Sequence, residues 1–166
     1  MSYTDPVIAR YIKLLQDNGC EAKKYYQGEP IKIPATDFPC ITIARRITKA
    51  GPFNNADDEH EQTFRLTVIS DIRADLSTET NAADISAGVA TLYELIEARD
   101  ENYILKPNSV LGILRSNITL EAGKNLRTDL SSVTQVDYSQ TLHNRAPEQW
   151  TIEATVDFVS HFIQTR

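Results

Sequence analysis

Residues 62–71, Gln62-Thr63-Phe64-Arg65-Leu66-Thr67-Val68-Ile69-Ser70-Asp71, decide how the rest of the chain is read. Phe64, Leu66 and Val68 alternate with Arg65, Thr67 and Ile69, and β-branched and aromatic residues dominate. Such period-two alternation marks a strand with one well-buried face, so this stretch is predicted to be a central strand. A second strand candidate, Cys40-Ile41-Thr42-Ile43-Ala44-Arg45-Arg46, lies ahead of it. The polar connection between the two is too long for a tight turn, so a β-hairpin with a long excursion at its tip is expected.

That connection, Thr48 to Glu61, holds Gly51-Pro52, Asn54-Asn55 and the acidic run Asp57-Asp58-Glu59-His60-Glu61. Phe53 is its only large apolar side chain, placed either to fold back onto its own hairpin or to meet a partner. Gly-Pro and Asn-Asn pairs argue against regular structure, so residues 51–61 are expected to form an irregular, mobile loop of the kind that carries function.

The chain before the hairpin begins with a well-marked helix. Asp5 can cap it, Pro6 suits its first position and Asn18-Gly19 supplies a left-handed stop, which predicts a helix over residues 6–17. Val7, Ile8, Tyr11, Ile12 and Leu15 fall on one face of a 3.6-residue period. A short strand is predicted over 22–27. Pro30, Pro34 and Pro39 then bracket a segment that can be neither helix nor central strand, because proline lacks a ladder donor and forces its predecessor into extended backbone.

After Asp71, residues 75–80 are rich in capping types, and a second helix is predicted over 82–99 with Ile85, Val89, Leu92, Tyr93 and Ile96 as its apolar stripe. Val110 to Leu114 reads either as a short helix after Ser109 or as a strand, and Ile118 to Glu121 reads as a strand. Val133 to Ser139 and Gln149 to Gln164 make a second hairpin around a turn with Asn144 and Pro147. Trp150, Ile152, Ala154, Val156 and Phe158 share one face of its last strand, and the adjacent Phe158 and Val159 point to a slip of phase near its end through a bulge or a bend. This order predicts an α+β fold: a mainly antiparallel sheet with two principal helices packed against it and long hairpin loops. At 166 residues, 41% hydrophobic and 24% charged, the chain is expected to form a single domain over 1–166.

Twenty-three acidic and 17 basic residues give a formal charge of −6, which disfavours non-specific capture of nucleic acid. The start shows neither the basic nor the apolar region of a signal peptide, and no apolar run approaches the roughly 18 residues of a membrane span. A cytosolic site of synthesis, no membrane partner and free thiols at Cys20 and Cys40 are therefore expected.

The search for chemistry finds little. No Gly-x-Ser-x-Gly elbow is present, and the six glycines are too scattered for a dinucleotide or phosphate loop. His60, His143 and His161 share no metal-ligand spacing, and the carboxylates of the run 57–61 point in different directions, as in a solvated loop end. Asp71 and Asp75 read as a strand end and a helix start rather than as an acid/base pair. Arg45 and Arg46, with Lys49, face the acidic run across the loop, and Lys124, Arg127 and Arg145 lie in later loops where they could answer acidic partners. No catalytic, cofactor-binding or metal-ligating residue is expected.

The layout resembles the tail terminator, or tail-completion, proteins of long-tailed, siphovirus-like bacteriophages. The likeness rests on the leading amphipathic helix, Lys24-Tyr25-Tyr26-Gln27-Gly28-Glu29-Pro30, the proline-framed Phe38-Pro39-Cys40-Ile41-Thr42-Ile43, and Glu59-His60-Glu61 before Phe64-Arg65-Leu66-Thr67-Val68. A second helix and a closing hairpin agree with it. The resemblance implies a virion structural protein, assembled in the host cytoplasm, that caps the tail tube as a homohexameric ring. Such a ring stops tube polymerisation and presents a surface to the head or neck connector. On that reading the candidate interface is Arg45, Arg46, Phe53, Asn54, Asn55, Asp57, Asp58, Glu59, Arg127 and Arg145. Six copies of −6 would carry −36, so DNA is expected to pass without specific binding. Another neck or head-completion protein, or a small enzyme, are the alternative classes.

Overall fold

A computed structural model describes residues 3–72, 81–118, 120–123, 126–147 and 149–165. The cap-rich stretch 75–80, with Asp75, and Lys124 lie outside the described residues, as do the side chains of Asp84 and Arg127.

Among the described residues the fold is α+β, with three α-helices on one face of a mixed six-stranded sheet. The elements in chain order are α1 (Pro6–Asp17), β1 (Lys24–Gln27), β2 (Cys40–Pro52), β3 (Asp57–Ile72), α2 (Asn81–Glu97), α3 (Val110–Ser116), β4 (Leu120–Gly123), β5 (Leu126–Ala146) and β6 (Gln149–Thr165). The spatial order of strands is β1-β2-β3-β6-β5-β4. β1 pairs in parallel with β2, and every other pair is antiparallel. Two long hairpins, β2–β3 and β5–β6, lie side by side through β3 and β6. That pair runs in unbroken register from Asp57↔Thr165 to Ile72↔Trp150. Sixteen residues of extended chain make this central ladder roughly 50 Å long.

α1 forms as its ends dictate. The Asp5 carboxylate accepts from the backbone N–H groups of Val7 and Ile8 at 2.9 and 3.2 Å, and Gly19 stops the helix at φ +74°. Val7, Ile8, Tyr11 and Leu15 are buried. Tyr11 fills the centre of the core, its ring 5.7 Å from that of Phe64 and 4.7 Å from that of Phe158. Phe64, Leu66 and Val68 of β3 and Ile152, Ala154, Val156 and Phe158 of β6 complete this side of the sheet. The sheet curls enough for β4 to lie against α1. On the opposite face Ile33 and Phe38, from the proline-framed segment, cover Cys40 and Ile69. Gln149 pins that segment by donating to the Ile33 carbonyl at 2.6 Å.

Five expectations change. The connection 48–61 is not an irregular loop: β2 runs to Pro52 and β3 starts at Asp57, leaving only Phe53–Ala56 as a turn. Poor local propensity is overridden because this part of β3 is held by ladder hydrogen bonds on both sides, to β2 and to β6. The turn itself is closed by Asn54, whose side-chain oxygen accepts from the N–H groups of Ala56 and Asp57. The strand placed at Val133–Ser139 is part of the 21-residue β5, which continues through Asn144. The suspected bulge lies not on β6, whose alternation holds through Phe162, but on β5 between Val133 and Gln135. A third helix, α3, joins the two expected ones: Ser109 caps it by accepting from Gly112 N–H, and Val110–Leu114 are buried on all sides, which hides any amphipathic period. On α2, Leu95 is buried where Tyr93 was expected, and Tyr93, 42% exposed, packs its ring 4.8 Å from Tyr138.

Candidate functional site

The outer half of β2 contributes little to the core. β2 is buried from Cys40 to Ile43 and exposed at nearly every position from Arg45 onward. The change falls at a β-bulge between Arg45 and Ile47, where one extra residue, Arg46, is inserted opposite Phe64 and Thr63. The insertion has a direct geometric effect. Without it Ile47 would share the core face of Ile41 and Ile43. With it Ile47 pairs with Thr63 on the opposite face and stands 55% exposed.

The bulge also separates the two arginines. Arg45 stays on the helix side and pairs with Asp5, so the residue that caps α1 also anchors the arm. Arg46 makes no ion pair among the described residues. Next to it, Arg65 grips Asp157 of β6 in a bidentate pair, Nε to Oδ1 at 2.8 Å and Nη2 to Oδ2 at 2.9 Å. These hydrogen bonds hold the Asp157 carboxyl below its ordinary range, with the nearby Arg46 charge acting in the same direction. Arg45, Arg46, Ile47, Thr63, Arg65 and Asp157 together line a shallow groove of about 400 Å³.

Further out, Lys49 and Glu61 form the expected contact of the basic arm with the acidic run, Nζ to Oε1 at 3.1 Å across the strands. His161 Nε2 reaches the other Glu61 oxygen at 3.5 Å. His60 stacks on Phe162 with ring centroids 4.9 Å apart. At the tip Phe53 is 56% exposed, with exposed Asn54 and Asn55 beside it. The Asp57 carboxylate accepts from the Asn54 amide at 2.8 Å, and Glu59 is exposed. Successive carboxylates of this run point to opposite faces of β3, so they do not converge. Among the described residues no group of three or more His, Cys, Asp or Glu side chains comes together.

The predicted interface residues therefore fall in four places. Arg45 and Arg46 flank the bulge, and Phe53, Asn54, Asn55, Asp57, Asp58 and Glu59 form the tip and the first residues of β3. Arg127 lies in β5 opposite Glu121 and Ile163, near the same end of the sheet. Arg145 lies at the far end, where β5 passes to β6. There it donates to Glu153 at 2.6 Å and to the Pro30 carbonyl at 3.0 Å, and its side chain is only 15% exposed. It acts as an internal strut. Sequence reasoning missed Ile47, Arg65 and Asp157. The only local hint was the adjacent pair Arg45-Arg46, which breaks the alternation of β2.

Cys20 and Cys40 are both buried and free. Burial raises both thiols, Cys40 to about 12 despite the opposing Arg145 charge. An α+β protein built on two long hairpins, one of which exposes the outer half of its strand β2, is the class these features define. Neither family models nor curated proteins yield a match to this sequence.

Proposed function

We propose that this protein is a virion structural subunit, the tail terminator of a long-tailed bacteriophage. It assembles as a homohexameric ring on the last ring of the tail tube, stops tube polymerisation and presents its opposite face to the head or neck connector. DNA passes through the ring without specific binding. The subunit acts by shape and contact, with no catalytic step and no cofactor.

The observation that carries this reading is the exposed outer half of the β2–β3 hairpin. From Arg45 to the turn it buries almost nothing of its own chain, yet it presents Ile47 and Phe53 to solvent. A strand arm with an open edge and exposed apolar side chains is an association hazard unless another subunit covers it, and head-to-tail contacts in a closed ring do so. The resemblance in layout to tail terminators supplies the identity of the ring.

The test is native mass spectrometry and negative-stain microscopy of the purified protein, alone and with assembled tail tube. A six-membered species, or rings seated on tube ends, is expected. A protein that stays monomeric with and without tube, and leaves tube growth unaltered, would overturn the proposal.

A further inference from the structure

We infer that the tip of the β2–β3 hairpin of one copy docks into the groove at the β-bulge of a second copy. Phe53 then packs on Ile47, and the acidic residues behind the tip face Arg46. This deepens the proposed ring and rests on it for the number of copies, although the contact itself is independent of that number.

The two surfaces match in chemistry. The tip carries three consecutive acidic residues, Asp57-Asp58-Glu59, immediately after a turn with one exposed aromatic, Phe53. The groove carries three arginines and one exposed aliphatic, Ile47. Two of these arginines are already matched inside the chain, Arg45 by Asp5 and Arg65 by Asp157. Arg46 remains as the cation with no ion partner among the described residues, and Glu59 is an exposed carboxylate with none. Blunting of a sheet edge accounts for a bulge and for charged side chains on an outer strand. It does not account for exposing an isoleucine beside them, which the bulge does by turning Ile47 away from the core face.

Within one chain the two surfaces cannot meet. Ile47 and Phe53 are six residues apart along one extended arm, roughly 20 Å, so contact between them requires two molecules. Repeated head to tail with a rotation that closes, the contact generates a ring, and made reciprocally it closes a two-fold dimer.

Two variants of the full chain, Phe53→Cys and Ile47→Cys, are mixed and oxidised, with the buried Cys20 and Cys40 as internal controls. A disulfide-linked species pairing position 53 with position 47 is expected in the mixture, and none from either variant alone. In parallel, Arg46→Glu and Glu59→Lys are each expected to weaken self-association at least tenfold by analytical ultracentrifugation, and their combination to restore it. Dimers that give the 53–47 link would support the contact while refuting the ring. Rings that form without the link and are indifferent to both charge reversals would refute the contact while leaving the ring. A protein that stays monomeric, alone and with tube, would refute both.

Discussion

Replacing Asp5 tests how the arm is anchored to the body, because this one buried residue holds three elements. Its Oδ1 accepts the two N–H groups that start α1, its carboxylate pairs with Arg45 at the bulge of β2, and its own N–H donates to the Gln27 side chain of β1 at 3.0 Å. Losing an aspartate N-cap costs about 1 kcal/mol. The pair with Arg45 adds about 1 kcal/mol more, since Asp5 is buried but the arginine is a third exposed and can return to water. Asp5→Ala should therefore lose about 2 kcal/mol, which for a chain of this size lowers Tm by about 4–8 °C. Asp5→Asn keeps the capping oxygen and loses only the charge, so it should lose about half as much. The assay is thermal and urea unfolding by circular dichroism at pH 7, with a double-mutant cycle against Arg45→Met to isolate the pair. If asparagine proves as damaging as alanine, the cap contributes nothing. If alanine leaves Tm unchanged, the reasoning about this anchor fails altogether.

Two glycines should respond unequally to alanine. At Gly112 the added methyl would sit 2.2 Å from the backbone carbonyl oxygen of Lys106, the same oxygen that Ser109 bonds in the α3 cap, so a loss of about 2–4 kcal/mol is expected by chemical denaturation. At Gly88 the nearest atom is the Cγ2 methyl of the fully buried, β-branched Ile152 at 2.9 Å, which moves only with the whole side chain, so a loss of about 1–3 kcal/mol is expected, offset in part by alanine's better helix propensity. Arg65 lowers the folded-state pKa of Asp157. The stabilisation this gives is full above the unfolded aspartate value of about 3.9 and is lost as pH falls through the lower folded value. Asp157→Asn should thus flatten the acid limb of a stability–pH profile below about pH 4 and leave its shape near neutrality unchanged. Burial raises both cysteine thiols, so an aromatic disulfide reagent at pH 8 should modify Cys20 and Cys40 only as fast as the protein unfolds, and at once in denaturant. Rapid native labelling at either would contradict their placement.

Elements governed by nearest neighbours were legible from residue order. α1 was readable to the residue because both of its stops are local: a carboxylate within reach of two N–H groups, and a glycine free to take positive φ. The strand around Phe64, Leu66 and Val68 was readable because one sheet face is buried by helices while the other is largely polar, which writes the period of two into the sequence. The last strand followed from the same alternation. For α3 the Ser109 start was legible but helix and strand stayed open, because burial on every side removes the polar face that announces a helical period.

The arm and the groove depended on tertiary structure. Residues 48–61 carry the composition of a loop, and only pairing to strands on both sides, one of them about a hundred residues away in β6, makes them a ladder. A single inserted residue at Arg46 then reverses the facing of everything beyond it, a decision that hydrophobic pattern does not encode. The sequence by itself determined the fold class, the position of the first helix and the central strand, because these rest on local hydrogen bonding and periodic burial. Which charges answer one another was decided only when the sheet assembled. Arg145 went to Glu153, Arg65 to Asp157 and Arg45 to Asp5, since Coulomb attraction acts between neighbours in space and the chain brings these together across 8, 92 and 40 positions.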